Sequence, residues 1–524
     1  MSINLTCYGG ACEIGGNKIL LEDGDCRILL DFGTAFGEQG RYFSELLRPR
    51  ASRGLLDPLA LDLLPALEGL YRSDIALPDL WQHMRSHRFY RNLKRENDRP
   101  AVDGIFLSHA HMDHNGDLGY VAADIPIFTT RTSAFIARAM QVTAQTTLDK
   151  ELTFVSSREI KEAGTLGSSR NEAIRIRPHR FLDGQLEGDA ERFWCNVPTS
   201  KTVIADSVMD SPTTFCGLAY RWWPVDHSIP GAASLALQTS VGWVGYTGDL
   251  RLSGSRGVLT RRFAEELAAL HPAVLLCEGT HIESSGNVSE ETVFYNALYL
   301  VQQEHGLVVA DFGPRNIERL LSFLKIARVT GRQLLVQPKD IYLLHAISLA
   351  DSTVFPDPYE CNSLAKYDDV KSAPRSWEKV LRERWAAHLV SPADVSRQPD
   401  RYILAYSLWD LNDLIDLTGI TRGIYLYSNT KAYDEEQAAD LDRLRNWVSI
   451  MGLTLYGDPE MPLTTPLHIS GHASGPDLLE LVRIIHPCIL VPIHTEKPAL
   501  WQEMLAGEGI EVRLPTKYEP IVVD

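Results

Sequence analysis

The stretch LSHAHMDHNGD, residues 107–117, decides the fold and the chemistry, because it gathers several metal-binding side chains directly after an apolar segment. The four candidates within six residues are His109, His111, Asp113 and His114. Imidazole and carboxylate together suit zinc or manganese, and the lack of a thiolate argues against a closed structural zinc site. In an extended segment His109 and His111 point the same way toward one ion, while Asp113 and His114 follow a turn and can serve a second. The pattern predicts a centre for two divalent metal ions.

Four ligands cannot complete two sites, and three later segments supply candidates for the rest. These segments are RWWPVDHSIPG with His227, VGWVGYTGDLR with Asp249 and CILVPIHTE with His494. Each candidate follows an apolar run with a strand pattern, and loops at strand ends can gather ligands from distant parts of a chain. A carboxylate is the natural bridge between two cations, and Asp249 is the best placed to provide it.

Composition indicates a soluble globular protein with several domains. The chain has 524 residues, of which 44% are hydrophobic and 23% charged, and its net charge is −17. Such a surface repels phosphate polymers, so nucleic-acid binding requires a local positive site. The eight cysteines are scattered without a CxxC pair, and the N-terminus has no secretion-signal pattern. No stretch approaches the length of an apolar membrane span. We therefore expect a cytoplasmic protein with no membrane partner.

The order of segment types predicts an α/β domain inserted into a β-rich host. Short strands separated by glycine turns open the chain, with Asp31 at the end of CRILLDFG, and short strands such as PLHIS return after residue 465. Between them, strand and helix patterns alternate, with 351–375 as loop, which is typical of a parallel doubly wound sheet. We predict a host domain over 1–283 and 466–524, with a helical insertion over about 41–98, and an inserted domain over 284–465.

The insertion carries the clearest basic stripe of this acidic chain. Its members are Arg85, Arg88, Arg91, Lys94 and Arg95. A helix would place them near one face, for which a solvated helix face is the first interpretation and contact with RNA the alternative.

The ligand pattern resembles the signature HxHxDH of the metallo-β-lactamase superfamily, and His227, Asp249 and Asp31 resemble its other motifs. Longer pieces resemble the β-CASP branch and, within it, ribonuclease J. They are GGACEIGGNKILLE, VDHSIPGAAS, CEGTHIESSGNVSEETV and HISGHASGPDLLELV with PCILVPIHTEKP. The resemblance implies an αββα sandwich with an inserted parallel-sheet β-CASP domain. The family's further C-terminal domain is not expected in the short stretch after His494, and the 41–98 insertion looks longer than the family's connection, which could narrow or re-aim the substrate entrance.

The resemblance also implies roles for individual residues. Asp31 would support the ligand loop, and Glu318 would be the acid of the first β-CASP motif, with Asp311 as a competing choice. His472 matches the second motif and would be a general acid or a phosphate ligand, and the histidine His494 at the third motif accompanies members that act on RNA. The family's phosphate pocket would fall on Ser470, Gly471, His472 and Ala473, where backbone N–H groups can hold an anion.

Together these features predict a metal-dependent ribonuclease. Two divalent cations, Zn²⁺ as the expected ion and Mn²⁺ as the alternative, would activate water for attack on a phosphodiester of single-stranded RNA. Asp113 would be both a ligand and part of the catalytic group. The cleavage could be 5′–3′ exonucleolytic, endonucleolytic or both. Hydrolysis of a small ester, lactone or lactam, a DNA-directed nuclease and a non-catalytic RNA-binding protein are the alternatives, and a homo-oligomer stays open as an assembly state.

Overall fold

The strands that open the chain form where apolar runs alternate with glycine turns. A computed structural model of the protein describes residues 2–44, 46–145, 147–162, 164–169, 173–205, 213–286, 288–313, 315–369, 371, 373–431, 435–461 and 465–524. The first two strands pair antiparallel with Ile3 opposite Asp23, and the second pairs with the third with Asp23 opposite Cys26. The tight Gly24 turn between them has a positive φ of 57°, a conformation that glycine adopts without strain.

The strands fall into three stretches of the chain. The first contains β1 (Ile3–Gly9), β2 (Lys18–Asp23), β3 (Cys26–Leu30), β4 (Leu67–Glu68), β5 (Arg91–Asn92), β6 (Gly104–Phe106), β7 (Ile127–Thr129), β8 (Phe154–Ser156), β9 (Arg158–Ile160), β10 (Leu166–Ser168), β11 (Ile174–Ile176), β12 (His179–Phe181), β13 (Val203–Ile204), β14 (Tyr220–Pro224), β15 (Ala233–Thr239), β16 (Gly242–Tyr246) and β17 (Val274–Glu278). The second contains β18 (Leu307–Asp311), β19 (Gln333–Val336), β20 (Leu364–Tyr367), β21 (Leu389–Val390), β22 (Tyr402–Ala405), β23 (Gly423–Tyr427) and β24 (Thr454–Tyr456). The third contains β25 (Ile489–Ile493), β26 (Glu511–Val512) and β27 (Pro520–Val523).

The α-helices range from four to sixteen residues. They are α1 (Phe36–Gly40), α2 (Leu56–Ala60), α3 (Leu80–Met84), α4 (Met112–Asn115), α5 (Arg131–Thr143), α6 (Gly188–Cys195), α7 (Gly257–Ala268), α8 (Glu290–Gln303), α9 (Ile317–Thr330), α10 (Pro338–Ala350), α11 (Ser376–Arg384), α12 (Pro392–Arg397), α13 (Glu435–Ile450), α14 (Gly475–Ile485) and α15 (Ala499–Met504). Short 3₁₀ helices cover Ala51–Arg53, Ser73–Ile75, Leu118–Tyr120, Leu148–Lys150, Pro358–Glu360, Ala386–His388, Pro399–Arg401 and Leu408–Asp416.

Two sheets built from the first and third stretches face each other. One has the strand order β12-β7-β6-β3-β2-β1-β27, and the other has the order β14-β15-β16-β17-β25-β26. Their inner faces share one apolar core, in which Leu5 and Leu30 of the first sheet meet Leu235 and Leu276 of the second. Strands β16, β17 and β25 are parallel neighbours, so their carboxyl ends open at one edge of the sandwich.

Helical layers cover the outer faces of both sheets. Helices α7, α14 and α15 bury Phe263, Leu481 and Trp501 against the second sheet. On the first sheet, the covering layer comes from the 41–98 insertion, which buries Leu59 and Leu80 among other apolar residues. The insertion therefore serves as an outer layer of the host core.

The second stretch of strands forms a seven-stranded sheet in the order β21-β20-β19-β22-β18-β23-β24, in which every pairing is parallel. Its interior strand β18 is buried on both faces, with Val308 and Ala310 in one core and Leu307 and Val309 in the other. Burial on both faces explains the unbroken apolar sequence of this strand. The predicted α/β fold class, a sandwich with an inserted parallel sheet, is confirmed; the residue boundaries 1–283, 284–465 and 466–524 remain our proposal.

Three local predictions were wrong. The segment 351–375 contains the strand β20, although its Pro and Asp content suggested a loop. PLHIS, residues 466–470, has no regular structure. The basic stripe does not lie on a helix, because α3 ends at Met84 and the chain turns before β5.

No helix within the described part of the chain combines the length and the apolar character that crossing a lipid bilayer requires.

Candidate metal centre

The loop that follows β6 is held in shape by two glycine-containing segments. A Cβ atom at Gly33 would lie 1.7 Å from the carbonyl oxygen of Asp113, so only glycine allows this approach. The backbone N–H of Phe32 donates to the carbonyl of His114 at 2.8 Å, and that of Asn17 donates to the carbonyl of Asp113 at 3.2 Å. The short helix α4 then begins, which turns Asp113 and His114 away from the extended segment that carries His109 and His111.

Four of the predicted ligands form a first cluster at the carboxyl edge of the two sheets. They are His109, His111, His227 and Asp249, whose candidate ligand atoms lie within 4.8 Å of one another. The Nδ1 atom of His111 lies 3.1 Å from Nε2 of His109 and 3.0 Å from Nε2 of His227. The Asp249 Oδ2 atom is 3.5 Å from His109 Nε2 and 3.6 Å from His227 Nε2.

A second cluster shares Asp249 with the first. It consists of Asp113, His114, Asp249 and His494. The His114 Nε2 atom lies 3.1 Å from Asp249 Oδ2, and His494 Nε2 lies 3.3 Å from Asp113 Oδ2 and 3.8 Å from Asp249 Oδ1. The structure thus brings all seven predicted ligands together in two groups that meet at one carboxylate.

The chemistry of these donors fits divalent cations. Both carboxylate oxygens of Asp249 and Nε2 of His114 are buried, and although His114 Nε2 lies 3.1 Å from Asp249 Oδ2, none of the three atoms has a well-directed hydrogen bond. Buried polar atoms without partners are costly, so such a set needs a ligand to satisfy it. Burial and the neighbouring His114 lower the pKa of His109, while His114 and His494 hold the pKa of the Asp249 carboxyl well below its usual value against the effect of burial. Neutral imidazole and ionised carboxylate are the forms that bind metal, and His109 and Asp249 are shifted toward these forms. The pKa of His114 is instead raised by Asp249, Asp113 and Asp31 against the effect of burial, so this imidazole must release a proton to bind a cation.

Further hydrogen bonds orient the ligand imidazoles from behind. The Asp31 carboxylate accepts from Nδ1 of His114 at 2.6 Å and from the Tyr246 hydroxyl at 2.6 Å. His227 Nδ1 donates to the carbonyl of Gly471 at 2.6 Å, and the Thr280 hydroxyl lies 2.8 Å from Nδ1 of His494. Such contacts fix the tautomer and the ring orientation of a ligating histidine. Asp31 therefore touches the ligand loop rather than the reacting groups.

The acid beside His472 is Glu278, which the sequence analysis missed. Nδ1 of His472 lies 3.2 Å and 3.3 Å from the two oxygens of this fully buried carboxylate. The Leu250 N–H and the Thr280 hydroxyl also donate to Glu278. Burial opposes the charged imidazole, but Glu278 and Asp249 outweigh it and raise the pKa of His472 to about 9. A sequence signal existed: VLLCE ends on this acid, just as VGWVGYTGD ends on Asp249, shortly after the neighbouring strand.

Glu318 and Asp311 lie away from the two clusters. Glu318 forms an ion pair with Arg251 and accepts from the Ser255 N–H at 2.8 Å. Asp311 accepts from the Tyr425 hydroxyl and the Asn429 amide at the end of β18. Neither carboxylate contacts His472, whereas Glu278 does. The assignment of the first β-CASP acid to Glu318, with Asp311 as the competing choice, stays a prediction.

The loop Ser470, Gly471, His472 and Ala473 offers fewer free N–H groups than the phosphate pocket requires. The His472 N–H donates to the Ser470 hydroxyl at 3.1 Å, and the Ala473 N–H donates to the carbonyl of Leu250 at 2.6 Å. These two N–H groups already have acceptors, and the carbonyl of Gly471 accepts from Nδ1 of His227. A phosphate contact by Ser470 or Gly471 stays a prediction.

The five basic residues of the stripe are mostly neutralised by distant acids. Lys94 and Arg85 both form ion pairs with Glu68, at distances of 2.7 Å and 3.6 Å respectively. Arg91 binds Glu22 at 2.7 Å, and Arg95 binds Asp103 at 2.8 Å. Arg88 is exposed and lies over the Phe89 ring. A basic face formed by all five is therefore absent among these described residues.

Comparisons with known proteins agree with this geometry. Residues 463–515 match the family described as the Zn-dependent metallo-hydrolase RNA specificity domain. The chain is 21% identical over 510 residues to ribonuclease J of Mycoplasma pneumoniae, covering 93% of this chain and 67% of that protein. It is 23% identical over 435 residues to ribonuclease J of Pyrococcus abyssi, covering 79% of this chain and 80% of that protein.

A solved structure shares the fold. The crystal structure of a protein of unknown function from Enterococcus faecalis V583 superposes with a TM-score of 0.64 at 21% identity, covering 100% of both chains. The family match, the relatives and the mixed α/β architecture together support a ribonuclease J-like protein of the metallo-β-lactamase β-CASP type.

Proposed function

We propose that this protein is a metal-dependent ribonuclease that hydrolyses phosphodiester bonds of single-stranded RNA. The observation that carries the proposal is the pair of four-residue clusters that meet at Asp249. A carboxylate shared between two imidazole-rich sites is the arrangement of two-metal hydrolases. The match of residues 463–515 to an RNA specificity domain favours RNA over small esters or lactams.

The proposal includes two divalent cations, with Zn²⁺ as the expected ion and Mn²⁺ as the alternative. His109, His111 and His227 would hold one, Asp113, His114 and His494 would hold the other, and Asp249 would contact both. Bound divalent cations supply Lewis acidity, which makes water nucleophilic near neutral pH and offsets the negative charge of the phosphoryl group. That local positive charge also overcomes the repulsion expected from a net charge of −17.

His472 is the group placed to move a proton. Its Nδ1 faces the carboxylate of Glu278, which leaves Nε2 as the atom able to donate. A charged imidazole held by a buried carboxylate can protonate the 3′ oxygen as it leaves phosphorus. Glu278 positions His472 and stabilises its charge, in the way that Asp31 positions His114.

The proposal extends to the mode of cleavage and the compartment. We propose 5′–3′ exonucleolytic cleavage, endonucleolytic cleavage or both, which product lengths distinguish. All eight cysteines are free thiols, which supports a reducing compartment, and we propose the cytoplasm. Assembly into a homo-oligomer is a separate part of the proposal, and sedimentation velocity distinguishes it from a monomer.

The test compares the wild type with Asp249→Asn and with Asp400→Asn, a control at an exposed aspartate of the inserted domain. Metal-stripped protein receives Zn²⁺ or Mn²⁺ and is given single-stranded RNA with a 5′ monophosphate or triphosphate, matching DNA, and a chromogenic lactam. We expect RNA hydrolysis by the wild type and the control, and a loss of at least about 1,000-fold, equivalent to about 4 kcal/mol, in Asp249→Asn. Turnover of the lactam or of DNA alone would overturn the proposal, as would full activity of Asp249→Asn.

A further inference from the structure

The loop between β18 and α9 lies at the point in the parallel sheet of the inserted domain where the connections from two neighbouring strands leave on opposite faces. From β18 the chain continues into α9, which packs Phe323 and Leu324 on the face that contains Ala310. From β23, the neighbour of β18, it continues into α13, which packs Leu441 on the opposite face. In open α/β sheets, ligands bind at the carboxyl ends of two strands whose connections leave in opposite directions. Arg315 is in this loop, between Asp311 and Ile317.

The start of α9 is held against the loop that carries a metal-ligand candidate. Glu318, in the first turn, forms an ion pair with Arg251, and the Arg251 guanidinium also donates to the carbonyl of His227 at 3.3 Å. Asn316 accepts from the Arg319 N–H at 3.0 Å and closes the first turn of the helix. The residues on the C-terminal side of Arg315 are thus fixed relative to the candidate metal centre, which limits where its side chain can reach.

Arg315 differs from the other arginines of this junction because the described residues offer it no carboxylate within ion-pair distance. Arg251 and Arg319 are both paired with Glu290, whereas the observed contact of Arg315 is with Sδ of Met140 at 3.8 Å. Its side chain is only partly exposed. A partly buried guanidinium without an anionic partner is costly, and an anionic ligand would remove that cost.

The loop that carries Arg315 lies beside the candidate metal centre. Glu318, three residues after Arg315, forms an ion pair with Arg251, which donates to the carbonyl of His227 in the first cluster. The Asp113 carboxylate of the second cluster opposes the effect of burial on the pKa of Arg315. Arg315 is therefore linked to residues of both ligand clusters.

We propose, resting on the ribonuclease function above, that Arg315 binds a non-bridging oxygen of the scissile phosphodiester from the side of the inserted domain. A guanidinium presents paired N–H donors that match the oxygens of a phosphate, and its contact adds a donor on the side that the ligand clusters do not face. Arg315 then selects a phosphodiester placed between the two domains and orients it for in-line attack.

The test uses Arg315→Ala and Arg315→Lys, with Arg328→Ala as a control that removes an arginine from the far end of α9, the helix that follows Arg315. We expect Arg315→Ala to lower kcat/KM for 5′-phosphorylated single-stranded RNA by about 10- to 100-fold with metal content unchanged. Lysine should recover only part of the loss, because it keeps the charge without the paired donors. Added guanidinium chloride should restore activity to Arg315→Ala, and sodium chloride at equal ionic strength should not.

The outcomes separate the two proposals. If the wild type does not hydrolyse RNA, the proposed function fails and the role of Arg315 fails with it. If the wild type hydrolyses RNA and Arg315→Ala matches Arg328→Ala, only the role of Arg315 is overturned. Loss of bound metal in Arg315→Ala without rescue by guanidinium would also overturn it, since the residue would then only support the fold. Arg315→Gln is assayed in parallel and interpreted in the same way if the alanine variant fails to fold.

Discussion

At the residue scale, the contact between Glu278 and His472 decides whether the centre has a proton donor. Glu278 is fully buried, and its carboxylate accepts three hydrogen bonds besides its contact with the imidazole. The donors are the Leu250 N–H and both the N–H and the hydroxyl of Thr280. A buried carboxylate with this many donors is held rigidly, so it fixes the ring of His472 as well as favouring its charged form.

We predict that Glu278→Gln lowers kcat for RNA by about 10- to 100-fold while the metal content stays at the wild-type level. Loss of the carboxylate removes the main charge that raises the pKa of His472, so the alkaline limb of the rate profile should shift to lower pH. Steady-state kinetics across pH and metal analysis check both statements. Glu291→Gln, which makes the same change at an exposed glutamate, is the control for a general disturbance. An unshifted alkaline limb in Glu278→Gln would contradict the proton-donor role of His472.

The sequence predicted the ligands better than their supporting groups. His109, His111, Asp113 and His114 stand close together in the chain, and metal chemistry restricts which residues can occur in such a pattern. Glu278 is an isolated acid 194 positions from His472, and its place at the end of VLLCE does not by itself show which histidine it contacts. Only the parallel pairing of β16 and β17 brings it to the edge where Asp249 lies.

At the element scale, the end of β18 carries a buried acid whose protonation is linked to folding. Burial raises the pKa of Asp311 to about 7, although donation from Tyr425 and Asn429 opposes part of the shift. Because the folded-state pKa exceeds the unfolded value of 3.8, the folded chain holds a proton that the unfolded chain releases. The stability gained from this proton is present at low pH and is lost as the pH rises toward 7.

We therefore predict that the Asp311→Asn variant, whose amide cannot titrate, becomes more stable to unfolding relative to the wild type as the pH rises. The difference in Tm between variant and wild type should increase by at least about 2 °C from pH 5.5 to pH 8. Thermal unfolding at both pH values measures it, with Asp400→Asn as the exposed control. A difference in Tm that does not change with pH would mean that Asp311 is ionised throughout this range.

The basic residues that follow α3 differ in whether they have an acidic partner. Arg95 is paired with Asp103, a carboxylate that also accepts from the Arg27 N–H and from Arg99, whereas Arg88 is exposed and forms no ion pair within the described residues. Reversing a paired charge disturbs the fold, and reversing an exposed unpaired charge changes only the long-range attraction for a polyanion.

We predict that Arg88→Glu weakens RNA affinity severalfold and reduces its salt dependence without changing Tm, if this segment contacts RNA. Arg95→Ala should instead lower Tm by a few degrees, because Asp103 loses a partly buried partner. Binding titrations at several salt concentrations and thermal unfolding distinguish the two effects. Unchanged affinity in Arg88→Glu would leave the solvated-face interpretation for the whole segment.

The difference between the predicted helix and the observed turn has a physical reason. Spacing of three residues favours a helix when no distant partner is considered, but Glu22, Glu68 and Asp103 come from separate parts of the chain. Strands such as β1, β18 and β25 were predictable because a short run of apolar residues indicates a strand that is buried in the core. Ion pairs between distant residues leave no comparable local pattern.

At the scale of the whole molecule, the host and inserted domains share a continuous core. Phe135 and Ile136 of α5 belong to the same apolar cluster as Leu320 of α9 and Ile341 of α10. Beside this core, the buried Arg251 joins Asp226 and Glu290 and forms the ion pair with Glu318. The sequence predicted two domains from the change in segment pattern, but their common core depends on tertiary contacts that the pattern does not contain.

The last prediction concerns Glu318, which connects the two domains at the ligand loop. Its carboxylate holds Arg251, and Arg251 donates to the carbonyl of His227, so Glu318 acts on metal binding through two intermediates. We predict that Glu318→Gln lowers Tm by about 2–4 °C and weakens metal affinity by about 10-fold, while saturating metal restores kcat to within about twofold of the wild type. Calorimetric metal titration and RNA hydrolysis at increasing metal concentration measure these changes, with the exposed Glu291→Gln as the control. A carboxylate that took part in catalysis would leave a defect in kcat that no metal concentration removes, and that result would return Glu318 to the catalytic group.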